Sequence, residues 1–318
     1  MLKKELPLLS IVIPLYNEQD VLPLLIQKIY DFKSHFDSPL EFIIVNDGSK
    51  DNTSTLLDQL SENLPTLKVL HLSRNFGHQI ALTAGIDYST GEYVVVMDGD
   101  LQDPFDMILP MMQKAQEEGY DIVLARRRLR DGETLFKLFT AKIFYWIMKK
   151  VIQAELPSNV GDFRLMNRKS IDALKEMKEL HRFLRGMVVW IGFKQAILDF
   201  DRPSRPIGKS KYPLIKMLSF SWNAITSFST FPLYIVMSSG CLVVILGISY
   251  SLLTLYKSLI LKITVPGWAS LVILLCIFSG VILVSLGIVG LYVGKIFEQV
   301  KGRPLYLLSD TRNITSEK

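Results

Sequence analysis

Asp98-Gly99-Asp100 places two carboxylates side by side, with the amide oxygen of Gln102 two residues further on. Hard oxygen ligands grouped this way suit Mg2+ or Mn2+ held against a diphosphate. Such a cation neutralises charge as a diphosphate leaves, which is Lewis-acid assistance. Alone, Asp-x-Asp is a weak signal, because solvated turns produce it often. It gains weight from three further polar clusters: Tyr16-Asn17-Glu18, Asn46-Asp47-Gly48-Ser49 and Ser73-Arg74-Asn75.

Each cluster follows a short apolar, β-branched run. Residues 9–13, 42–45, 67–72, 93–97 and 121–125 read as buried strands. Segments 18–34, 52–63, 77–88 and 104–118 between them have helical character, with Asp51 and Asp103-Pro104 as helix-start residues. The alternation predicts an α/β fold, a Rossmann-like, mostly parallel sheet with helices on both faces. Ligands of such sheets bind beyond the carboxyl ends of the strands. Four polar clusters at four strand ends therefore predict one site.

The 318 residues carry a net charge of +5, and 49% are apolar. That excludes a disordered chain, and 21% charged residues exclude a wholly membrane-embedded one. The mean hydropathy of +0.27 demands a concentrated apolar region. It lies near the C-terminal end: no charged residue or histidine interrupts the 40 positions between Lys216 and Lys257 or the 32 between Lys262 and Lys295. Two membrane spans fit there, about 230–256 and 267–294, within a two-helix domain at 228–296. Both cysteines, Cys241 and Cys276, fall inside the spans and read as packing residues. Pro7, Pro14 and Asn17-Glu18 break the first apolar stretch, so it reads as a strand and not as a signal peptide.

Aromatic, lysine-bearing segments at 133–152 and 212–227 read as interfacial helices. The arginine run Arg126, Arg127, Arg128 and Arg130 reads as a solvated face or a contact with anionic headgroups, with the second favoured. His71 and His78 read as structural. The positive-inside rule puts the catalytic region 1–216 and the tail 297–318 in the cytoplasm and the short loop outside, giving a multi-pass protein of the inner (plasma) membrane. The sequon at Asn313 then has no meaning. Gly290 and Gly294, with Gly240 and Gly247, have the small-residue spacing of close helix packing and point to a homo-oligomer, a tetramer included. No nucleic-acid partner is expected.

Ile13-Pro14-Leu15-Tyr16-Asn17-Glu18, Val45-Asn46-Asp47-Gly48-Ser49, Arg74-Asn75-Phe76-Gly77 and Asp98 through Pro104 together resemble a family 2 glycosyltransferase of GT-A fold. With the two C-terminal spans, the resemblance is to the polyprenyl-phosphate glycosyltransferases, and within them to the bacterial bactoprenol glucosyltransferases. It implies single-sugar transfer, with inversion, from a nucleotide sugar to undecaprenyl phosphate at the cytoplasmic membrane face. UDP-glucose is the expected donor, with UDP-4-deoxy-4-formamido-arabinose or GDP-mannose as alternatives. Pro14, Tyr16, Glu18, Asp47 and Asp98 would bind the nucleotide sugar, and Asp98, Asp100 and Gln102 the metal. Gly161-Asp162-Phe163-Arg164-Leu165 matches the acceptor-side motif, making Asp162 the candidate base. A lipid phosphate is already largely dianionic, with a second pKa of about 6, so Asp162 could instead orient the acceptor. Arg202, Arg205, Ser210 and Lys211 resemble the basic loop that would hold phosphate, Arg202 acting beside Asp100 and Asp162 in catalysis. The Gln-x-x-Arg-Trp motif of processive synthases is absent. An inactive lipid-phosphate-binding or flipping protein is the non-enzyme alternative, against which the intact Asp98, Asp100 and Asp162 weigh.

The charge asymmetry generates a topology prediction. A cysteine placed within 258–265 will react with an impermeant reagent applied to intact cells, and one within 305–318 will not; the reverse pattern would invert the orientation.

Overall fold

The computed structural model describes residues 8–128, 157, 159–201, 231–260 and 267–314. The segments 133–152 and 212–227, and Arg202, Arg205, Ser210 and Lys211, lie outside the described residues. The chain divides into two compact units, 1–213 with 304–318, and 214–303.

The first unit is built on one sheet of eight strands: β1 (Leu9–Leu15), β2 (Leu40–Asn46), β3 (Leu67–Leu72), β4 (Tyr93–Val96), β5 (Ile122–Arg127), β6 (Val160–Asn167), β7 (Gln195–Phe200) and β8 (Leu308–Arg312). Helices α1 (Leu22–Ser34), α2 (Thr53–Asn63), α3 (His78–Asp87), α4 (Ile108–Glu118), α5 (Arg168–Glu176) and α6 (Leu184–Trp190) connect or follow them. The spatial order is β7-β5-β6-β4-β1-β2-β3-β8. Every residue of β1 and β2 is buried, as expected of central strands covered on both faces. Leu22, Leu25, Ile26, Ile29 and Phe32 repeat at helical spacing and form the buried stripe of α1. Gly85 lets α3 approach β1 closely: a Cβ there would lie 2.2 Å from Val12 Cγ1.

All five strands read from the sequence are present, and their neighbours β1–β2, β2–β3 and β1–β4 run parallel. The chain leaves β1 on one side to β2 and on the other side lies β4, so a crevice opens beyond the carboxyl ends of β1 and β4. Three strands were not read. β6 is antiparallel to both β4 and β5, β7 is parallel to β5, and β8 is antiparallel to β3. Their alternation is diluted by charged residues, as in Asp162 and Arg164 of β6 or Asp310 and Arg312 of β8. The segment 297–318, read as a tail, thus supplies an edge strand. The Asn313 side chain donates to the carbonyls of Ser61 (2.7 Å) and Leu67 (2.9 Å), so the sequon amide is engaged within the domain.

The second unit consists of α7 (Phe231–Leu259) and α8 (Trp268–Val300). Pro232–Tyr250 and Ile277–Val300, with mean hydropathies of 2.0 and 2.2, are long and apolar enough to cross a membrane, and neither is buried.

At the amino ends of the central strands, Glu41 on β2 gathers partners from three neighbours. Its carboxylate accepts from Ser10 Oγ (2.5 Å), Thr90 N–H (2.8 Å) and the ammonium of Lys68. Burial by itself would raise its pKa, but Lys68, Ser10 and Thr90 outweigh burial and hold it below the ordinary carboxylate value. A lowered folded-state pKa gives a stabilisation that is complete above the unfolded value of about 4.3 and is lost as pH falls through the folded one. Glu41→Ala should destabilise the domain by about 3 kcal/mol near neutral pH, measured by denaturant unfolding. The difference from the parent should shrink below pH ~4; a pH-independent difference would contradict the ionic account.

Candidate active site

The loops after β1 and β2 are laced together. Asn17, at φ 52°, donates its N–H to Ser49 Oγ (2.9 Å), and its Oδ1 accepts from Lys50 N–H (2.8 Å). Glu18 N–H donates to Thr53 Oγ1 (3.1 Å). Asp51, expected to start α2, does accept from Thr53 N–H (3.1 Å). This lacing places Tyr16 and Glu18 at the mouth of the crevice, just past Pro14 at the buried end of β1.

Asp47 works on the next loop. Its Oδ1 accepts from Phe76 N–H (2.7 Å) and its Oδ2 from Gly77 N–H (3.0 Å). Beside it, Gly48 sits at φ +63°, and a Cβ there would lie 2.3 Å from the Arg74 carbonyl carbon, so only glycine fits. Asp47 and Gly48 therefore hold the Arg74–Gly77 loop against β2, and any contact of Asp47 with a base is left to its remaining lone pairs. Gly77, at φ 97° and ψ 154°, turns the chain into α3, whose first residues are His78 and Gln79.

The centre of the site depends on β6. Its pairing with β4 sets Tyr93 opposite Asn167 and Val96 opposite Arg164. Just beyond that pairing the carboxylates of Asp98 and Asp162 come close together, although 64 positions separate them in sequence. His78 Nε2 lies between them, 3.3 Å from Asp98 Oδ1 and 3.4 Å from Asp162 Oδ2. His78 was read as structural and instead stands among the expected site carboxylates. His71 does lie in a buried polar network, near Asn46 Nδ2 (3.0 Å) and Asp58 (3.2 Å).

Asp162 is 3% exposed. Its Oδ1 accepts from Arg164 and from Arg185 Nε, both at 3.0 Å, and its Oδ2 from the other arm of Arg185 (3.0 Å) and from Gln79 Nε2 (3.1 Å). Burial would raise its pKa, but Arg185, His78 and Arg164 overcome burial and hold it well below the ordinary range. Arg164 is itself buried, and burial lowers its pKa to about 10, so it stays charged. A carboxylate held this way is a fixed negative charge and a poor proton acceptor.

Asp98 is the opposite case. Burial pushes its carboxyl up; His78 and Arg127 pull it back down, Asp162 and Asp100 add to the rise, and the net shift is upward. Its Oδ1 is buried without a hydrogen bond, as is Oδ1 of Asp103. Asp103 was expected to open a helix. It instead accepts from Asp98 N–H through Oδ2 (2.9 Å), closing the 98–103 loop, while the next helical turn starts after Pro104. Burial and the adjacent Asp98 raise Asp103 to about 7. Within the loop Asp100 Oδ1 accepts from Gln102 N–H (3.1 Å), with Leu101 at φ 59°. A cation beside Asp98 would give Oδ1 a closer partner than the His78 contact and reverse the upward pull on its carboxyl, so this loop fits a divalent ion. Ligand atoms of His78, Asp98 and Asp162 also lie within 4.8 Å of one another. Asp162 suits a cation less, since two guanidiniums already occupy its oxygens.

The arginine run divides by strand alternation. Arg126 forks onto Asp199 (2.6 and 2.9 Å) and Arg128 reaches Asp201 (3.2 Å), whereas Arg127 turns inward, 3.7 Å from Asp103 and 3.9 Å from Asp98. The three described arginines thus meet carboxylates of their own unit, and Arg130 lies outside the described residues. Arg127, His78 and Gln79 were not assigned to the site from sequence, and Arg164 and Asp103 appeared only within the motifs, with no role of their own. Period-two alternation from Asp162 would have found Arg164, and the same rule applied to β5 would have found Arg127.

The family model described as glycosyl transferase family 2 matches residues 10–175, which span β1 to α5 and the whole carboxylate cluster. The chain belongs to glycosyl transferase family 2. The enzyme is 42% identical over 309 residues to a Bacillus subtilis glycosyltransferase, YkcC, covering 97% of this chain and 95% of that one. It is 33% identical over 304 residues to a protein of Shigella phage SfX named bactoprenol glucosyl transferase, covering 96% and 99%. Among solved structures, glucosyl-3-phosphoglycerate synthase from Mycobacterium tuberculosis is 18% identical with a TM-score of 0.49, over 70% of this chain and 77% of that one. The expected fold class is present: a mixed α/β, mostly parallel sheet of GT-A type, followed by two apolar helices.

In this glycosyltransferase, removing the Asp162 charge leaves Arg164 buried without its counter-charge, held only by the carbonyls of Gly161, Asp162 and Leu184. Asp162→Ala should cost about 3–5 kcal/mol of stability and abolish sugar transfer, read by denaturant unfolding and by product formation on the purified enzyme. Wild-type stability would contradict the buried ion-pair geometry.

Proposed function

We propose that the enzyme transfers one sugar, with inversion, from UDP-glucose to undecaprenyl phosphate at the cytoplasmic face of the membrane, yielding a lipid-linked sugar for cell-surface glycan modification. The state of Asp162 carries this reading. A sugar hydroxyl acceptor needs a base to take its proton, and Asp162, ionised and filled by two arginines and a glutamine, is ill suited to that task. A lipid phosphate with a second pKa of about 6 needs no such base. Its oxygen can attack the anomeric carbon from the face opposite the diphosphate, forming one C–O bond as the other breaks.

Near-full-length similarity to a protein named bactoprenol glucosyl transferase supports the acceptor and the sugar. Pro14, Tyr16, Glu18 and Asp47 line the nucleotide side, and Asp98, Asp100 and Gln102 would hold Mg2+ or Mn2+, which would neutralise the departing diphosphate. Asp162 orients the acceptor side and stabilises positive charge developing on the sugar ring. Arg202, Arg205, Ser210 and Lys211 hold phosphate; arginine suits the task because its planar fork binds two oxygens at once. In this reading residues 1–216 are the cytoplasmic catalytic domain, the segments 133–152 and 212–227 lie on the membrane surface, 228–296 cross it twice, and the assembly is a homo-oligomer.

Purified enzyme given undecaprenyl phosphate, Mg2+ or Mn2+, and a panel of radiolabelled UDP- and GDP-sugars should make label lipid-extractable with UDP-glucose. Extraction only with GDP-mannose or a modified UDP-arabinose would replace the sugar, and no extraction with any donor would overturn the reaction. Asp100→Asn should lower the rate at least a hundredfold, roughly the loss of one key electrostatic contact; an undiminished rate would remove the metal from the mechanism.

A further inference from the structure

Gln79 occupies the first turn of α3, and its amide makes two bonds of opposite polarity. Its Nε2 donates to Asp162 Oδ2 (3.1 Å), and its Oε1 accepts from the Leu184 N–H (2.9 Å). A carboxylate oxygen can only accept and a backbone N–H can only donate, so both partners fix the same orientation of the amide. Leu184 is the first residue of α6, and its N–H is one of the donors that a helix leaves without an internal partner. Arg185, the next residue, forks onto both oxygens of Asp162 at 3.0 Å. One side chain therefore holds the carboxylate and also the start of the helix that carries its principal cation.

The other end of this turn is fixed from the nucleotide side. Asp47 clamps the Phe76 and Gly77 amides, and the Gly77 carbonyl accepts from Ile80 and Ala81 N–H (both 3.0 Å). Four consecutive residues, 76–79, run from the Asp47 carboxylate after β2 to the Asp162 carboxylate of β6, with the Phe76 and Gly77 amides held at one end and the His78 and Gln79 side chains at the other.

We propose that Gln79 is a positioning residue for the transfer reaction: it sets the orientation of the Asp162–Arg185 pair, and through the first turn of α3 it couples that pair to the nucleotide-side loop held by Asp47. The proposal rests on the reading of Asp162 as the acceptor-side group. A pair displaced by a fraction of an ångström still folds and still binds donor but transfers sugar poorly.

The test uses Gln79→Met, close in size, with no donor and only a weak thioether acceptor, in the full-length enzyme. Three results are expected. The kcat for transfer to undecaprenyl phosphate should fall roughly ten- to hundredfold, the scale of a small misplacement, while the UDP dissociation constant stays within about twofold. In an Asp162→Asn background the same substitution should change the residual rate by less than about threefold, because the group it acts through has already been altered. Hydrogen exchange across 184–190 should accelerate, a readout that needs no acceptor and so decides the proposal even if undecaprenyl phosphate proves to be the wrong lipid. Unchanged exchange overturns it. So does an unchanged kcat in an enzyme that makes lipid-linked sugar, a loss additive with Asp162→Asn, or a loss matched by equal weakening of UDP binding.

Discussion

A carboxylate with 3% of its surface exposed keeps its charge only if fixed donors replace the water it has lost. At Asp162 two arginines and a glutamine supply those donors, and they come from β6, α3 and α6. The surrounding architecture follows from that requirement. Arg164 must share a face of β6 with Asp162, α6 must begin where Arg185 can fork, and α3 must start where Gln79 can reach. Removing any one of them leaves a buried charge less than fully answered, which is why these contacts behave as a unit.

Asp98 lies across from this saturated carboxylate and is its electrostatic counterpart. It is half-buried and close to other acids, and its Oδ1 makes no hydrogen bond, only a 3.3 Å contact with His78. One carboxylate is saturated by short hydrogen bonds within the protein, and the other has only looser contacts with His78 and Arg127. Environment alone separates the two roles, as burial and neighbouring charge shift like groups in opposite directions. Asp103 and Arg127 support the unfinished side, the first by closing the 98–103 loop and the second by placing positive charge behind it.

Much of the scaffold was legible because its signals are local. Strands β1 to β5 each hold a short, mostly apolar run, and α1 and α4 carry buried stripes at helical spacing, so periodicity reveals them. Asp98, Asp100 and Asp47 could be picked out because turn-rich clusters at strand ends are visible in a linear string. β6 and β8 were not read as strands, since their charged residues break the apolar alternation and their partners lie far away in sequence. His78 and Gln79 gave no local sign, because a polar residue opening a helix looks the same whether it faces solvent or a carboxylate.

The amino-acid sequence by itself determined the class of the fold, the strand ends at which chemistry collects and two helices apolar enough for a membrane, because each follows from hydrophobic spacing within about twenty residues. Only the tertiary structure decided which acid is saturated by cations within the protein. That outcome depends on the antiparallel register of β6 against β4, which sets Val96 opposite Arg164 and brings Asp162 close to Asp98. Register is a long-range choice, and a slip of one residue would turn Asp162 and Arg164 to the other face of the sheet.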